Sequence, residues 1–268
     1  NFKWESSLNF SLLKNEVKSL PDFIPQIISG NIGGFISNFT IVEEGSPLGS
    51  YFGYKVDGIF QNQEEVTNSA QPTAKPGHLK FTDQNNDNVI NADDRVILGN
   101  PFPDFTVGFN NRFTYKNFSL DVFLQWVQGI ETLDANVLES LYPTNEYRNR
   151  IAKYYLERWT PSNPNTNYPS GINSSSYGGE RSINSLTVQD ASFVRLKTLN
   201  LSYSLPVKNS KVFSNAQFYM AVDNLFTFTD YEGFDPDASA TGTESTSKVN
   251  YNSYPLSRTA RLGLSLTF

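Results

Sequence analysis

Cysteine is absent from this 268-residue chain, histidine and methionine occur once each, and no apolar run approaches the roughly eighteen residues of a membrane-spanning helix. Each absence removes a class of protein. Without cysteine there is no disulfide scaffold and no thiolate metal or redox centre. A single histidine, His78, gives little basis for a Ser-His-Asp triad and reads as a lone surface residue. No G-x-S-x-G, P-loop or H-E-x-x-H motif occurs. The adjacent carboxylates Glu43-Glu44 and Glu64-Glu65 read as solvated surface, because neighbours on a strand point apart and do not make a glycosidase pair. A formal charge of −6 with no basic stripe argues against nucleic acid. The chain reads as a protein that performs no chemistry.

Present instead is strict alternation. In the segment 254–268, Leu262, Leu264, Leu266 and Phe268 share one parity, while Arg261, Gly263, Ser265 and Thr267 take the other. Successive side chains of a strand point to opposite faces, so this is a strand with one apolar and one polar face. The same pattern runs through Phe2, Trp4, Leu8 and Phe10; through Phe105, Val107, Phe109 and Phe113; through Phe118, Leu120, Val122, Leu124 and Trp126; and through Ala216, Phe218, Met220 and Val222. Every charge in these four segments (Lys3, Glu5, Arg112, Asp121, Asp223) falls on the opposite parity. Random placement would give that in roughly 3% of cases, one halving per charge under the period-two rule. Exclusion of charge from one face is what lipid demands, since Lys or Arg at mid-bilayer costs about 2–4 kcal/mol. Arg258 breaks the rule and is placed at a rim, where a long side chain snorkels, or beside a bulge. Aromatics at 14% suit a girdled transmembrane barrel, whose polar lumen and loops hold the hydrophobic fraction to 38%. A Tyr-rich β-sandwich gives similar counts.

Strands are expected at 1–13, 34–44, 48–60, 104–116, 117–129, 191–204, 215–228 and 254–268, about eight in all, with a hairpin at Lys116-Asn117 and a bulge near Lys197. Long connections at 61–103, 130–190 and 229–253 contrast with that tight turn, the asymmetry of outer-membrane barrels. Within 130–190 a helix is expected from about Glu146 to Trp159. Asn1 opens inside an amphipathic strand with no signal peptide or initiator Met, so the chain is expected to be part of a longer protein.

One chemical constellation stands out. Asp83, Asn85 and Asp87 occupy positions 1, 3 and 5 of an EF-hand-type loop; Val89 would offer its carbonyl from position 7, Asn91 falls at 9 and Asp94 at 12. Hard cations need six to eight oxygens about one point, and this spacing supplies them, so structural Ca²⁺ is expected in the loop. Asn88 replaces the usual glycine at position 6, and Asp replaces Glu at position 12, as in dockerin-type loops. An ordinary Asx-rich turn is the plain alternative.

Several stretches together resemble the SusC/RagA family of TonB-linked outer-membrane proteins. They are G-S-P-L-G-S-Y-F-G-Y-K-V-D-G-I-F-Q-N-Q-E-E-V (45–66), P-G-H-L-K-F-T-D-Q-N-N-D-N-V-I-N-A-D-D-R-V-I-L-G-N-P-F-P-D-F (76–105), R-W-T-P-S-N-P-N-T-N-Y-P (158–169), D-A-S-F-V-R-L-K-T-L-N-L-S-Y-S-L-P (190–206) and D-N-L-F-T-F-T-D-Y-E-G-F-D-P-D (223–237), with the closing strand to Phe268. The resemblance implies an all-β chain, the C-terminal strands of a 22-stranded transmembrane barrel whose plug and TonB-contacting segment are not represented in residues 1–268. It implies an energy-coupled importer of oligosaccharide or peptide in the Gram-negative outer membrane, surrounded by lipid and capped by a SusD-like surface lipoprotein. It further implies that 61–103 and 130–190 are extracellular loops. Leu262, Leu264, Leu266 and Phe268 would then form the final, barrel-closing strand, whose terminal aromatic helps recruit the assembly machinery. From the residues alone, a complete small barrel with an adhesive role or a soluble, calcium-stabilised, carbohydrate-binding β-sandwich stays open.

Overall fold

The computed structural model describes residues 2–32, 36–141, 151–171, 183–207, 212–239 and 248–268. In chain order its elements are β1 (Phe2–Leu12), β2 (Gln26–Ile32), β3 (Ile36–Glu43), β4 (Ser50–Tyr54), β5 (Val56–Ile59), α1 (Gln63–Thr67), β6 (Leu79–Phe81), β7 (Arg95–Gly99), β8 (Phe105–Tyr115) and β9 (Phe118–Gln128). There follow β10 (Glu131–Asp134), α2 (Ala135–Leu141), α3 (Ala152–Leu156), β11 (Val188–Asp190), β12 (Phe193–Ser204), β13 (Asn215–Thr229), β14 (Val249–Asn250) and β15 (Thr259–Thr267).

The largest sheet is antiparallel and contains six strands in the order β1-β8-β9-β12-β13-β15. Its register carries the alternation across the whole sheet. Phe2, Tyr115, Phe118, Tyr203, Phe218 and Leu264 are successive partners in one row; Phe10, Val107, Trp126, Val194 and Phe228 form another. Rings meet along a row, as Phe118 and Tyr203 do at 4.6 Å, and diagonally, as Phe105 and Trp126 do at 4.9 Å. Eight residues separate Phe118 from Trp126, about 26 Å along the strand and about 19–22 Å along a membrane normal at a tilt of 35–45°. Many large apolar residues of this face are exposed, Trp4 by 60% and Leu262 by 83%, and others such as Val107 and Leu120 are half-buried. The opposite face carries Glu5, Arg112, Asp121, Asn200, Ala221 and Arg261 as one row, with Arg112 paired to Asp121 and Arg261 to Asp223, both at 2.6 Å. Here Gly263 lies under the ring of Tyr219, where a Cβ would come within 2.2 Å of it. Arg258 lies just outside β15, which begins at Thr259.

The tight turn at Lys116-Asn117 joins β8 to β9, with Lys116 at φ +53°, and the expected bulge lies between Leu196 and Thr198. Two expected strands do not join the large sheet, which has six strands where about eight were counted. The segment 34–44 becomes β3 and 48–60 becomes β4 and β5, in smaller sheets of order β2-β3-β4-β7 and β5-β6. The reason is written in their burial: Phe39, Thr40 and Ile41 are consecutive and all buried, so β3 is covered on both faces rather than presenting one to lipid.

At the end of the sheet away from the Lys116-Asn117 turn, the described parts of the connections 13–104, 129–192 and 230–258 fold together. The small sheets, a third of order β11-β10-β14 and helices α2 and α3 share one hydrophobic cluster that includes Phe39, Tyr51, Leu79, Leu133 and Val249, while Val66 of α1 packs with Phe60 and Ala74. Tyr51 donates to the carbonyl of Lys248, and Trp159 Nε1 donates to Gln61 Oε1 at 2.9 Å. Gly53 has no side chain because the carbonyl of Ile183 lies 2.2 Å from where its Cβ would be. The connections are a folded cap with its own core. Of the helix expected over 146–159, Ala152–Leu156 is helical, and 146–150 fall outside the described residues.

Candidate functional site

The acidic segment is the loop between β6 and β7, and its side chains hold its own backbone. Asp83 accepts from the N–H groups of Asn86 at 2.7 Å and Asn88 at 2.8 Å; Asp87 accepts from Val89 N–H at 2.8 Å. Asn85 Oδ1 accepts from Asp87 N–H and Asn91 Oδ1 from Asp93 N–H. Asp94, fully buried, ties the two arms together by accepting from Gln84 and Asn91, each at 2.8 Å. Asn88 takes φ +64°, the left-handed conformation for which position 6 usually carries glycine, and asparagine reaches it more readily than most residues. By type the donors suit a hard cation, being oxygens without nitrogen or sulfur. Among the described residues, however, no three Asp, Glu, His or Cys side chains gather closely enough to hold a metal.

The cap also contains a cleft of about 330 Å³ between α2, α3, β11 and the segment after β13. Glu232 on its wall receives Lys153 Nζ at 2.7 Å and the Tyr168 hydroxyl at 3.0 Å. Burial would raise this carboxyl, but the hydrogen bonds from Lys153 and Tyr168 and the Lys153 charge outweigh it and hold it below the usual range. Burial pushes the Tyr154 hydroxyl up, and the charges of Glu232 and Asp134 push the same way, so it stays a neutral donor. Behind the cleft, Tyr231 donates to Asp134 at 2.6 Å, and Asn250 donates to the Tyr231 oxygen at 2.6 Å. Burial raises the Asp134 carboxyl against the hydrogen bonds from Tyr231 and Asn136.

Cap and sheet are joined by Arg195, on the polar face of β12 and 1% exposed. It donates to Asp235 Oδ1 at 2.6 Å and to Thr227 Oγ1 at 3.0 Å. Asp235 also accepts from Asp237 N–H and Leu256 N–H. Burial works against the Asp235 carboxylate, and these N–H groups together with Arg195 more than offset it, leaving its pKa lowered.

Leu262, Leu264 and Leu266 lie on the apolar face of β15, and the ring of Phe268 meets that of Phe213 at 5.2 Å. His78 is buried, not on the surface as its sequence context suggests; the adjacent Gly77 packs against Trp159 and Ser170, which are distant in sequence. Glu43 and Glu44 accept hydrogen bonds from Ser46 Oγ and Leu20 N–H, and Glu65 accepts from Gln61 N–H beside α1; these carboxylates tie down local backbone. Tyr154, Tyr168 and Glu232, and the Arg195–Asp235 pair, are the site features that sequence reasoning missed. The only available signal was the concentration of tyrosine and acid in the long connections.

No protein-family model matches the chain. It is 35% identical, over all of its length, to TonB-dependent receptor P3 of Formosa agariphila and 34% identical to TonB-dependent receptor P26 of the same organism. It spans about a quarter of the length of these curated relatives, 27% of each. Among solved structures it matches the RagAB peptide transporter with a TM-score of 0.74 and 24% identity, and the RagAB peptide importer in its open-open state at 0.71. All of this chain and 27% of those chains are covered, and at that identity the likeness is one of fold. The relatives are receptors and transporters rather than enzymes. Matched along its whole length to about a quarter of such receptors and sharing the fold of a transporter barrel, the chain corresponds to a part of a TonB-dependent receptor.

Proposed function

We propose that this chain forms barrel wall and outward-facing cap of an energy-coupled nutrient importer of the SusC/RagA type in the Gram-negative outer membrane. The observation that carries the reading is the six-stranded sheet, apolar and exposed on one face and polar on the other, with β1 and β15 each paired on one side only. Long, exposed strand edges need partners. In this reading the remaining barrel strands and the plug supply them, outer-membrane lipid covers the apolar rows, and the TonB complex drives opening through the plug segment. A SusD-like surface lipoprotein covers the cap, and oligosaccharide or peptide passes along the polar face. The connections containing 61–103 and 130–190 face the exterior, and the strand ending at Phe268 closes the ring and signals assembly.

Topology is testable in the complete transporter in cells. A cysteine at Asn163, in the cap, should react with a membrane-impermeant maleimide, whereas one at Asn117, in the tight turn, should react only after the outer membrane is permeabilised. The reverse pattern overturns the proposal. Removal of Phe268 should lower the amount of assembled transporter without changing synthesis.

For the loop 83–94 we propose structural Ca²⁺, held by Asp83, Asn85, Asp87, Asn91, Asp94 and the Val89 carbonyl; its support is the hard-oxygen donor set at EF-hand spacing. Calcium at 100 times its dissociation constant would stabilise the loop by about 2.7 kcal/mol. Chelation should therefore speed proteolysis within 61–103, and Ca²⁺ should restore protection. Cleavage indifferent to chelation refutes the metal.

A further inference from the structure

One edge of the cap has the character of a covered surface. The sheet of order β2-β3-β4-β7 ends on β7 at one side and on β2 at the other, and the two edges differ. Every residue of β7 is at least partly buried, whereas Gln26, Ile27, Ile28 and Ser29 of β2 are all exposed. Ile27 and Ile28 are strand neighbours and point to opposite faces, yet they stay 42% and 37% exposed, so solvent reaches β2 from both faces as well as along its edge. Edge strands that stay free carry charge or proline, which discourages pairing, and Gln26–Ile32 contains neither. Exposed apolar side chains lead from it back to the wall: Phe23 in the connection, then Leu13, then Leu12 at the end of β1. β1 is itself paired on one side only, and its register fixes its direction. Phe2 lies opposite Tyr115 at the tight-turn end, and Leu12 lies opposite Phe105 at the cap end. In an antiparallel barrel the strand on the open side of β1 runs the other way. That strand's cap end therefore lies beside Leu12, and the outward connection leading into it rises there.

We propose that β2 is a docking edge for this outward connection, a segment of the same transporter outside residues 1–268, which adds a strand along Gln26–Ser29 and covers Phe23, Ile27 and Ile28. The inference rests on the reading of this chain as wall and cap of a larger transporter. Strand addition supplies main-chain hydrogen bonds along the edge and sets side chains against both isoleucines. The test is amide hydrogen exchange, resolved to single residues, on the complete transporter with its lipoprotein partner in detergent. On a free edge, alternate amides of 26–29 point to solvent and exchange as an unstructured peptide does. Under an added strand all of them should exchange at least about a hundredfold more slowly. Removing the lipoprotein should leave that protection in place. Shortening the outward connection that enters the open-side neighbour of β1 should release the alternate amides. Those of Thr40 and Ile41, between β2 and β4, should stay slow and report an intact sheet. Fast alternate amides in the complete transporter, protection lost with the lipoprotein, or protection unchanged by the shortened connection overturns the inference. The first two outcomes are read on the unaltered protein and do not depend on how the shortened one folds. If cysteines at 117 and 163 label as expected while the alternate amides are fast, the import reading stands and this inference alone falls.

Discussion

Replacing Arg195 by methionine should unlatch the cap from the barrel wall. The guanidinium is 1% exposed and lies 2.6 Å from Asp235, whose side chain is 6% exposed. Its ring partner is Phe193, 4.8 Å away, and its Nε–H is held by Thr227. Methionine keeps much of the stem's volume and removes the charge, so Asp235 is left buried with only the N–H groups of Asp237 and Leu256 against it. Breaking a buried pair from one side costs about 3–5 kcal/mol. Because Asp235 also anchors the chain at Leu256, the cost should appear as local opening of 230–258 rather than loss of the sheet. At about 1.4 kcal/mol per decade, hydrogen exchange at the Leu256 amide should accelerate by roughly two to three and a half decades. The double variant Arg195→Met, Asp235→Asn no longer strands a charge, so it should exchange more slowly than Arg195→Met alone. If the two substitutions add within about 0.5 kcal/mol, the pair is not coupled and the latch is wrong. Wild-type exchange at Leu256 in Arg195→Met would refute it more simply.

Three further outcomes follow from other parts of the molecule. Val122→Lys, midway between the aromatic rows on the apolar face, should cost about 2–4 kcal/mol and reduce the heat-modifiable, folded band on gels, whereas Ser119→Lys on the polar face should leave it intact. Gly263→Ala should force Tyr219 off its seat and destabilise the sheet by about 1–3 kcal/mol; adding Tyr219→Ala should recover most of the loss on the same gels. Glu232 has a folded pKa below its ordinary 4.5, so its contribution is fully present above that pH and is lost as pH falls through the lowered value. Protease protection of the cap near α3 should therefore hold down to pH 4.5 and drop only below it, and Glu232→Gln should abolish that drop.

The wall of this molecule was legible in its sequence, and the cap was not. In β8 and β9 a single surrounding medium lies against every outward side chain, so parity alone sorts Phe113 and Leu120 from Arg112 and Asp121, and the turn at Lys116-Asn117 follows. The break of parity at Lys197 correctly announced a bulge. No such rule reaches the cap. Its strands β10, β11 and β14 are two to four residues long, too short for any period, and Leu133 pairs in parallel with Val249 across more than a hundred residues. Burial on both faces made β3 look like one more wall strand, and a histidine that reads as surface is buried.

Arg195 shows where the two regimes meet. The period-two rule places it on the polar face of β12, opposite Val194 and Leu196, and there the rule stops. Its charge partner is forty positions away in a segment with no strand signal, and that carboxylate, with Thr227 and the ring of Phe193, explains how a guanidinium comes to be almost wholly buried. A charge on the wall can be judged by the face it occupies, because lipid excludes it from one side and water or its strand neighbours receive it on the other. A charge in the cap can be judged only by the network that receives it.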